Sequence, residues 1–259
     1  IPLPLPARLM AVGPSEREAR SEKGVTMGMS MPVLSIPATL IGSLALVMVP
    51  ELAENFFRGN HSRLRANIEK ALKITALIAC MLIPPLFVLG EDIGILLFSN
   101  AHGGEIIRNC CFMLLPTSLH MITCSVLNSL GCEKQTCLYF FAGAAATLLC
   151  VLLLPQFAGV YALMIGAAAS AVITTFLNLR LIAKKSMEKV RFCKHTLISA
   201  ASILPAIVFG TLLRGTLLAF LPALPAAILC GCAVMAAQGL FLMAAGTVRP
   251  QWVLVLLKR

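Results

Sequence analysis

Residues 138–179, LYFFAGAAATLLCVLLLPQFAGVYALMIGAAASAVITTFLNL, run without a charged side chain. A helix crosses the hydrocarbon core of a bilayer with ~20 mostly apolar residues, so this stretch is long enough to cross twice. The short link Pro155-Gln-Phe-Ala-Gly159 divides it and demands an antiparallel neighbour, which predicts a hairpin of spans at about 136–154 and 157–179. Outward from this hairpin, further spans fall at about 26–49, 72–90, 107–130, 196–213 and 221–245, none with a firmly central charge. The expected fold is all-α, a polytopic membrane bundle of about seven transmembrane helices. A soluble domain has no use for so much uninterrupted apolar surface. Composition agrees, with 59% hydrophobic and 12% charged residues and a mean hydropathy of +0.91.

The formal net charge of +10 is a topology signal rather than a nucleic-acid footprint. Fifteen of the Lys and Arg residues lie in the 50–73, 134 and 180–195 gaps and the C-terminal tail, against six in the alternate gaps. The positive-inside rule then puts the 50–73 and 180–195 loops and the C-terminus in the cytoplasm, and the N-terminal end outside, in a cell membrane. Nucleic acid is not an expected partner. Ten cysteines contain no C-x-x-C pair, and neither Cys110/Cys111 nor Cys230/Cys232 has a His or acidic partner at metal-ligand spacing. They read as small apolar filler, and no metal or cofactor is expected. P-loop, G-x-G-x-x-G, G-x-S-x-G and H-E-x-x-H motifs do not occur. The acidic residues lie in loops or near span ends, which gives general acid–base chemistry no evident place. An enzyme is not expected.

The N-terminal stretch alternates Pro at positions 2, 4 and 6, then turns polar, with Ser15 able to cap a short surface helix. From there, Gly13-Pro-Ser-Glu-Arg-Glu-Ala leads to Gly28-Met-Ser-Met-Pro-Val-Leu-Ser-Ile-Pro, Val49-Pro-Glu-Leu-Ala-Glu and Arg58-Gly-Asn. Later come Val126-Leu-Asn-Ser-Leu-Gly, Leu154-Pro-Gln-Phe-Ala-Gly-Val-Tyr-Ala and Leu177-Asn-Leu-Arg. In order and spacing these resemble the second half of the stage V sporulation protein B family, the polysaccharide-exporter-like branch of the flippase and multidrug-exporter superfamily. The likeness covers about residues 5–185 and reaches the last two spans by position only. It implies helices eight to fourteen of a two-lobe fold. Residues 1–25 would be an extracytoplasmic loop after a missing upstream helix. Residues 26–182 would form the five-helix second lobe, with a cytoplasmic amphipathic helix at 51–73, and 183–259 a basic loop and a C-terminal helix pair. The implied partners are membrane lipids, a lipid-linked polar substrate and the missing N-terminal lobe.

Several residues carry readings of their own. Pro32 and Pro37 each remove a backbone donor from the first span, which should kink or break it; this is either a packing bend or a helix that flexes between access states. In the third span Thr117, His120, Cys124 and Asn128 share one narrow sector at ~100° per residue, and Gly131 continues it. Polar side chains at membrane depth face the bundle interior or a water-filled cavity, so Thr117, His120 and Asn128 are candidates for a substrate path; interhelical hydrogen bonding is the structural alternative. The ladder Ala162, Gly166, Ser170, Thr174 and Asn178 has the spacing that lets membrane helices approach closely, and reads as packing. Over 51–73, Leu64, Ile68, Ala71 and Leu72 share one side while Arg63, Arg65, Glu69, Lys70 and Lys73 surround them, as in an interfacial helix. Arg58, Arg63, Arg65, Lys184 and Lys185 are the candidate lipid-facing basic groups.

These features favour half of a flippase or exporter that moves a lipid-linked oligosaccharide or peptidoglycan-type precursor by alternating access. A cation-coupled multidrug antiporter half is the alternative within transport, weakened because no carboxylate lies at depth. A membrane scaffold that transports nothing is the alternative outside it.

Overall fold

In the computed structural model, which describes residues 16–159, 161–185, 193–220 and 222–247, every expected span is a helix, and no strand occurs among the described residues. The elements are α1 (Glu16–Val25), a π-turn (Thr26–Ser30), α2 (Met31–Phe57), α3 (His61–Phe98), α4 (Ala101–Cys110), a 3₁₀ turn (Cys111–Met113), α5 (Leu114–Ser129), α6 (Glu133–Leu153), α7 (Pro155–Ala158), α8 (Tyr161–Lys185), α9 (Cys193–Ala201), α10 (Ile203–Phe220) and α11 (Ala223–Ala244). Seven stretches are long and apolar enough to cross a bilayer: Ser21–Phe57, His61–Phe98, Ala101–Ser129, Glu133–Leu153, Tyr161–Lys185, His195–Phe220 and Ala223–Ala244. The chain is a multi-pass membrane protein.

Very short connections force neighbouring helices antiparallel. Asn60 accepts a hydrogen bond from the Arg63 amide at 3.3 Å and Asn100 accepts one from Gly103 at 2.9 Å, so both side chains cap the helices that follow. Gly131, expected to extend a polar stripe, is instead the left-handed residue (φ 69°) that stops α5, with the Cys132 amide reaching back to the Leu127 carbonyl.

Helix α3 is the axis of the bundle. It packs against α2, α4, α5, α9, α10 and α11. Near its start Leu64, Ile68, Ala71 and Leu72 are fully buried, in a cluster with Leu52, Ile122, Leu127 and Ile182. Nearer its end Ala79, Cys80 and Ile83 join Val33, Ile106 and Cys111. Val88 and Leu89 then pack on Cys230 and Val234 of α11. The α3–α4 crossing is tight enough that a Cβ at Gly94 would overlap the Gly104 backbone, and one at Gly104 would come within 2.6 Å of the Glu91 Cα. Hairpin α6–α8 forms as expected: Thr147 Oγ1 donates to the Gly166 carbonyl at 3.2 Å, and Gly143 faces Ser170 and Thr174. Its outer helix α6 exposes Leu138, Phe140, Phe141 and Leu149, which suits a lipid-facing surface.

The structure departs from the sequence reading in four places. Residues 16–25, read as a polar loop or a short surface helix within an extracytoplasmic segment, are a helix that continues into the first span. The helix expected over 51–73 is interrupted at Arg58–Asn60, where Gly59 takes φ 69°, so 51–57 ends α2 and 61–73 opens α3. The apolar side of 61–73 packs into the protein core rather than onto lipid, because the neighbouring helices α2, α5 and α8 extend far enough to cover it. Arg214, placed in a loop, lies inside α10, where Asp92 offsets its charge. Ser15 and the loop 186–192 lie outside the described residues, as does the tail 248–259.

Candidate functional site

One group of polar side chains within the spans gathers where α5 and α8 meet. His120 Nδ1 lies 2.8 Å from Thr174 Oγ1, and Cys124 Sγ lies 3.6 Å from the same ring nitrogen. Asn178, fully buried, donates to Thr123 Oγ1 at 3.2 Å and to Cys124 Sγ at 3.3 Å. Among the described residues its Oδ1 has no partner. A buried amide that closes only part of its hydrogen-bonding capacity binds two helices together and leaves one acceptor for a further donor. His120 and Cys124 of the third-span stripe and Thr174 and Asn178 of the fifth-span ladder thus form one interhelical clasp. Of the proposed path residues, only His120 enters it. Thr117 is half-buried and turns back on its own helix, donating to the Met113 carbonyl at 2.8 Å. Asn128 is exposed near the end of α5.

The proline pair also has a defined local geometry. Helix α2 stays helical through Pro37, which is buried, and the irregular turn lies just upstream of exposed Pro32. There the Met31 amide bonds the Thr26 carbonyl five residues back. This widened turn brings the chain past Pro32, which has no amide hydrogen to give to residue 28. Ser30 Oγ, buried within the turn, donates to the Gly103 carbonyl at 2.9 Å and fixes it to α4.

One further proline is paired with a polar group that sequence reasoning missed. Pro84, inside α3, leaves the Cys80 carbonyl without its usual intrahelical donor. Gln238 of α11, fully buried, donates to that carbonyl at 3.1 Å and to Ser202 Oγ at 3.0 Å. Ser202 sits at the break between α9 and α10, three residues before Pro205. Pro116 follows the 3₁₀ turn between α4 and α5 in the same manner. The signal for Gln238 was present, as an amide inside an apolar span, but its partner is a backbone atom that no sequence pattern marks.

Charged groups collect at the two ends of the bundle. At the α3 C-terminal end, Arg108 pairs with Glu91 at 2.7 Å, Arg214 grips Asp92 in a bidentate pair at 2.8 and 2.9 Å, and His102 lies 2.9 Å from Glu22. At the opposite end, Arg58 pairs with Glu54 and Arg65 with Glu69, both at 3.0 Å. Arg63, Lys184 and Lys185 are exposed there. A cavity of about 570 Å³ opens at this end between residues 66–77 of α3, helix α9 and Gly246 and Thr247, just after α11. Among the described residues no group of three or more His, Cys, Asp or Glu side chains could hold a metal ion, and the nine cysteines with described side chains are free. Comparison with known protein families, with curated proteins and with solved structures finds no match.

Proposed function

We propose that the chain is the C-terminal half of a membrane flippase or exporter, translocating a lipid-linked oligosaccharide or peptidoglycan-type precursor by alternating access. The observation that carries this reading is the outer face of α2. Ser35, Thr39 and Ser43 are all exposed and repeat every four residues, on the side nearly opposite the buried Ile41 and Ala45. Each hydroxyl donates to its own helix three residues back, at 2.7–2.8 Å, which satisfies the hydroxyl hydrogen and leaves its oxygen available to accept. A line of hydroxyls facing away from the bundle at membrane depth suits a water-lined path or a second transmembrane unit better than lipid. A headgroup rich in hydroxyls needs such acceptors to replace part of its lost water. A second set of helices, from the rest of a longer chain or from another copy, would close the path against this face.

The test uses reconstituted vesicles and a fluorescent lipid-linked oligosaccharide, in the context of a two-lobe parent. Changing Ser35, Thr39 and Ser43 together to Ala should leave insertion intact and lower translocation per inserted molecule by about tenfold or more, the loss expected for several polar contacts of ~0.5–1.5 kcal/mol each. Unchanged translocation would remove this face from the path.

A further inference from the structure

Helix α1 has little apolar surface with which to hold its place. Of its residues Glu16–Val25, only Ala19, Gly24 and Val25 are not polar, so burial of apolar area contributes little along most of its length. Val25, buried at its very end, lies beside the joint to α2. Gly24 and Gly28 stand at that joint, and a Cβ at either would meet nothing within 4 Å. The helical ladder is irregular here: the turn Thr26–Ser30 is widened, and Pro32 gives no amide hydrogen to the residue 28 carbonyl. Just past it the chain is fixed, because Ser30 Oγ donates to the Gly103 carbonyl of α4 at 2.9 Å. The joint is therefore a pivot, with a polar helix on one side and a packed span on the other.

Among the described residues, α1 reaches another helix through Glu22, whose Oε2 lies 2.9 Å from His102 Nε2 in the first turn of α4. On the other side of the ring, Nδ1 lies 3.5 Å from Glu105 Oε2. A neutral imidazole carries one N–H and can donate to only one of these carboxylates, whereas an imidazolium donates through both nitrogens. The geometry fits the charged ring, set between a carboxylate of α1 and one of its own helix. Other charged groups at this end have partners elsewhere: Arg108 holds Glu91 and Arg214 holds Asp92. Residues 26–50 carry no charge, and α8 carries none between Tyr161, which bonds Asn109, and Arg180. On α1 itself Lys23 follows Glu22, and Arg17 is exposed. The side chains of His102, Glu22 and Glu105 are 45%, 37% and 56% exposed, so their protons exchange with the medium.

We infer that His102 is a proton-operated latch, which holds α1 against α4 while charged and frees it to turn about the Thr26–Ser30 joint when neutral. An imidazole in water titrates at about pH 6.5 and a glutamate at about 4.3. Between these limits the ring is positive and both carboxylates are negative, and the latch is closed. As the pH rises and His102 loses its proton, one N–H and the attraction to both carboxylates disappear together, and the latch opens. Because all three groups are partly exposed, the change is a shift in population rather than an all-or-none switch. The latch does not rest on the transport reading, and it stands whether or not the chain transports anything.

The experiment uses the whole chain in lipid nanodiscs, in a variant lacking the native cysteines. Nitroxide labels at Ser21→Cys on α1 and Phe157→Cys in the α6–α8 link, both exposed, report their separation by double electron–electron resonance at pH 5.5 and 8.5. The ratio of displaced to docked α1 should rise about threefold from the lower pH to the higher, a change of the size an exposed ion pair supports. His102→Gln should remove the step and give the pH 8.5 distribution at both values, and Glu22→Gln should remove it from the other side of the contact. His102→Lys should keep α1 docked at both values, because its charge does not titrate in this range. His195→Gln, at the opposite end of the bundle, should leave the step as it was. A labelled chain with the same distance distribution at both values overturns the latch. So does a step that survives His102→Gln, which would assign it to other groups. Monodispersity of each variant on size exclusion separates loss of the contact from loss of the fold.

Discussion

At the scale of single residues, Gln238 has the clearest energetic role. Its amide replaces the hydrogen bond that Pro84 denies to the Cys80 carbonyl, and it ties the break at Ser202 to the same point. Gln238→Leu should therefore lower stability by about 1–2 kcal/mol, the cost of leaving buried polar groups unpaired, measured by denaturant unfolding in mixed micelles. The mechanism makes a sharper demand on a double-mutant cycle. With Pro84→Ala the helix regains an amide hydrogen for Cys80, so Gln238→Leu should cost measurably less in that background. Equal costs in both backgrounds would mean that the Cys80 contact contributes nothing. No pattern in the sequence discloses this bond: Pro84 and Gln238 are each visible, but the atom joining them is a main-chain oxygen. Lys70 and Lys73 were legible as part of a basic stretch, and their place in the lining of a cavity was not.

At the scale of elements, apolar run length gave all seven spans and the α6–α8 hairpin, because membrane crossing constrains composition along the whole of a helix. Faces were harder to assign than spans. The side of 61–73 carrying Leu64, Ile68 and Leu72 has the same periodicity whether it meets lipid or protein, and only the reach of α2, α5 and α8 decides for protein. Likewise His120 and Asn128 share a sector of α5, yet one is inside the clasp and the other is exposed. The two should consequently separate on substitution. His120→Leu should destabilise the α5–α8 contact by roughly 0.6–2 kcal/mol, the range for an interhelical hydrogen bond in a membrane, and Thr174→Val should add little in that background. Asn128→Leu should leave unfolding unchanged. A stability loss in Asn128→Leu equal to that in His120→Leu would contradict the pairing.

At the scale of the whole molecule, the distribution of basic residues proposes that the end carrying Arg58, Lys70, Lys184 and Lys185 lies in the cytoplasm. The structure places Ser62 at that end and Ala101 at the other, both exposed. In a variant lacking the native cysteines, Ala101→Cys should react with an impermeant thiol reagent applied to intact cells, and Ser62→Cys should react only after permeabilisation. The reverse pattern would invert the topology and with it the side on which the cavity opens.

The bond between Gln238 and Cys80 also has a consequence in time. Its partners lie 158 residues apart, so during synthesis α3 enters the bilayer long before α11 has been translated. At 5–20 residues per second, the Cys80 carbonyl waits about 10–30 s for its donor. Until α11 arrives, the central helix is a nascent segment with an open position in its ladder, available to water or to the insertion machinery. This part of the bundle is thus completed only when α11 arrives, and a ribosome that stalls before α11 leaves a distinguishable product in the membrane.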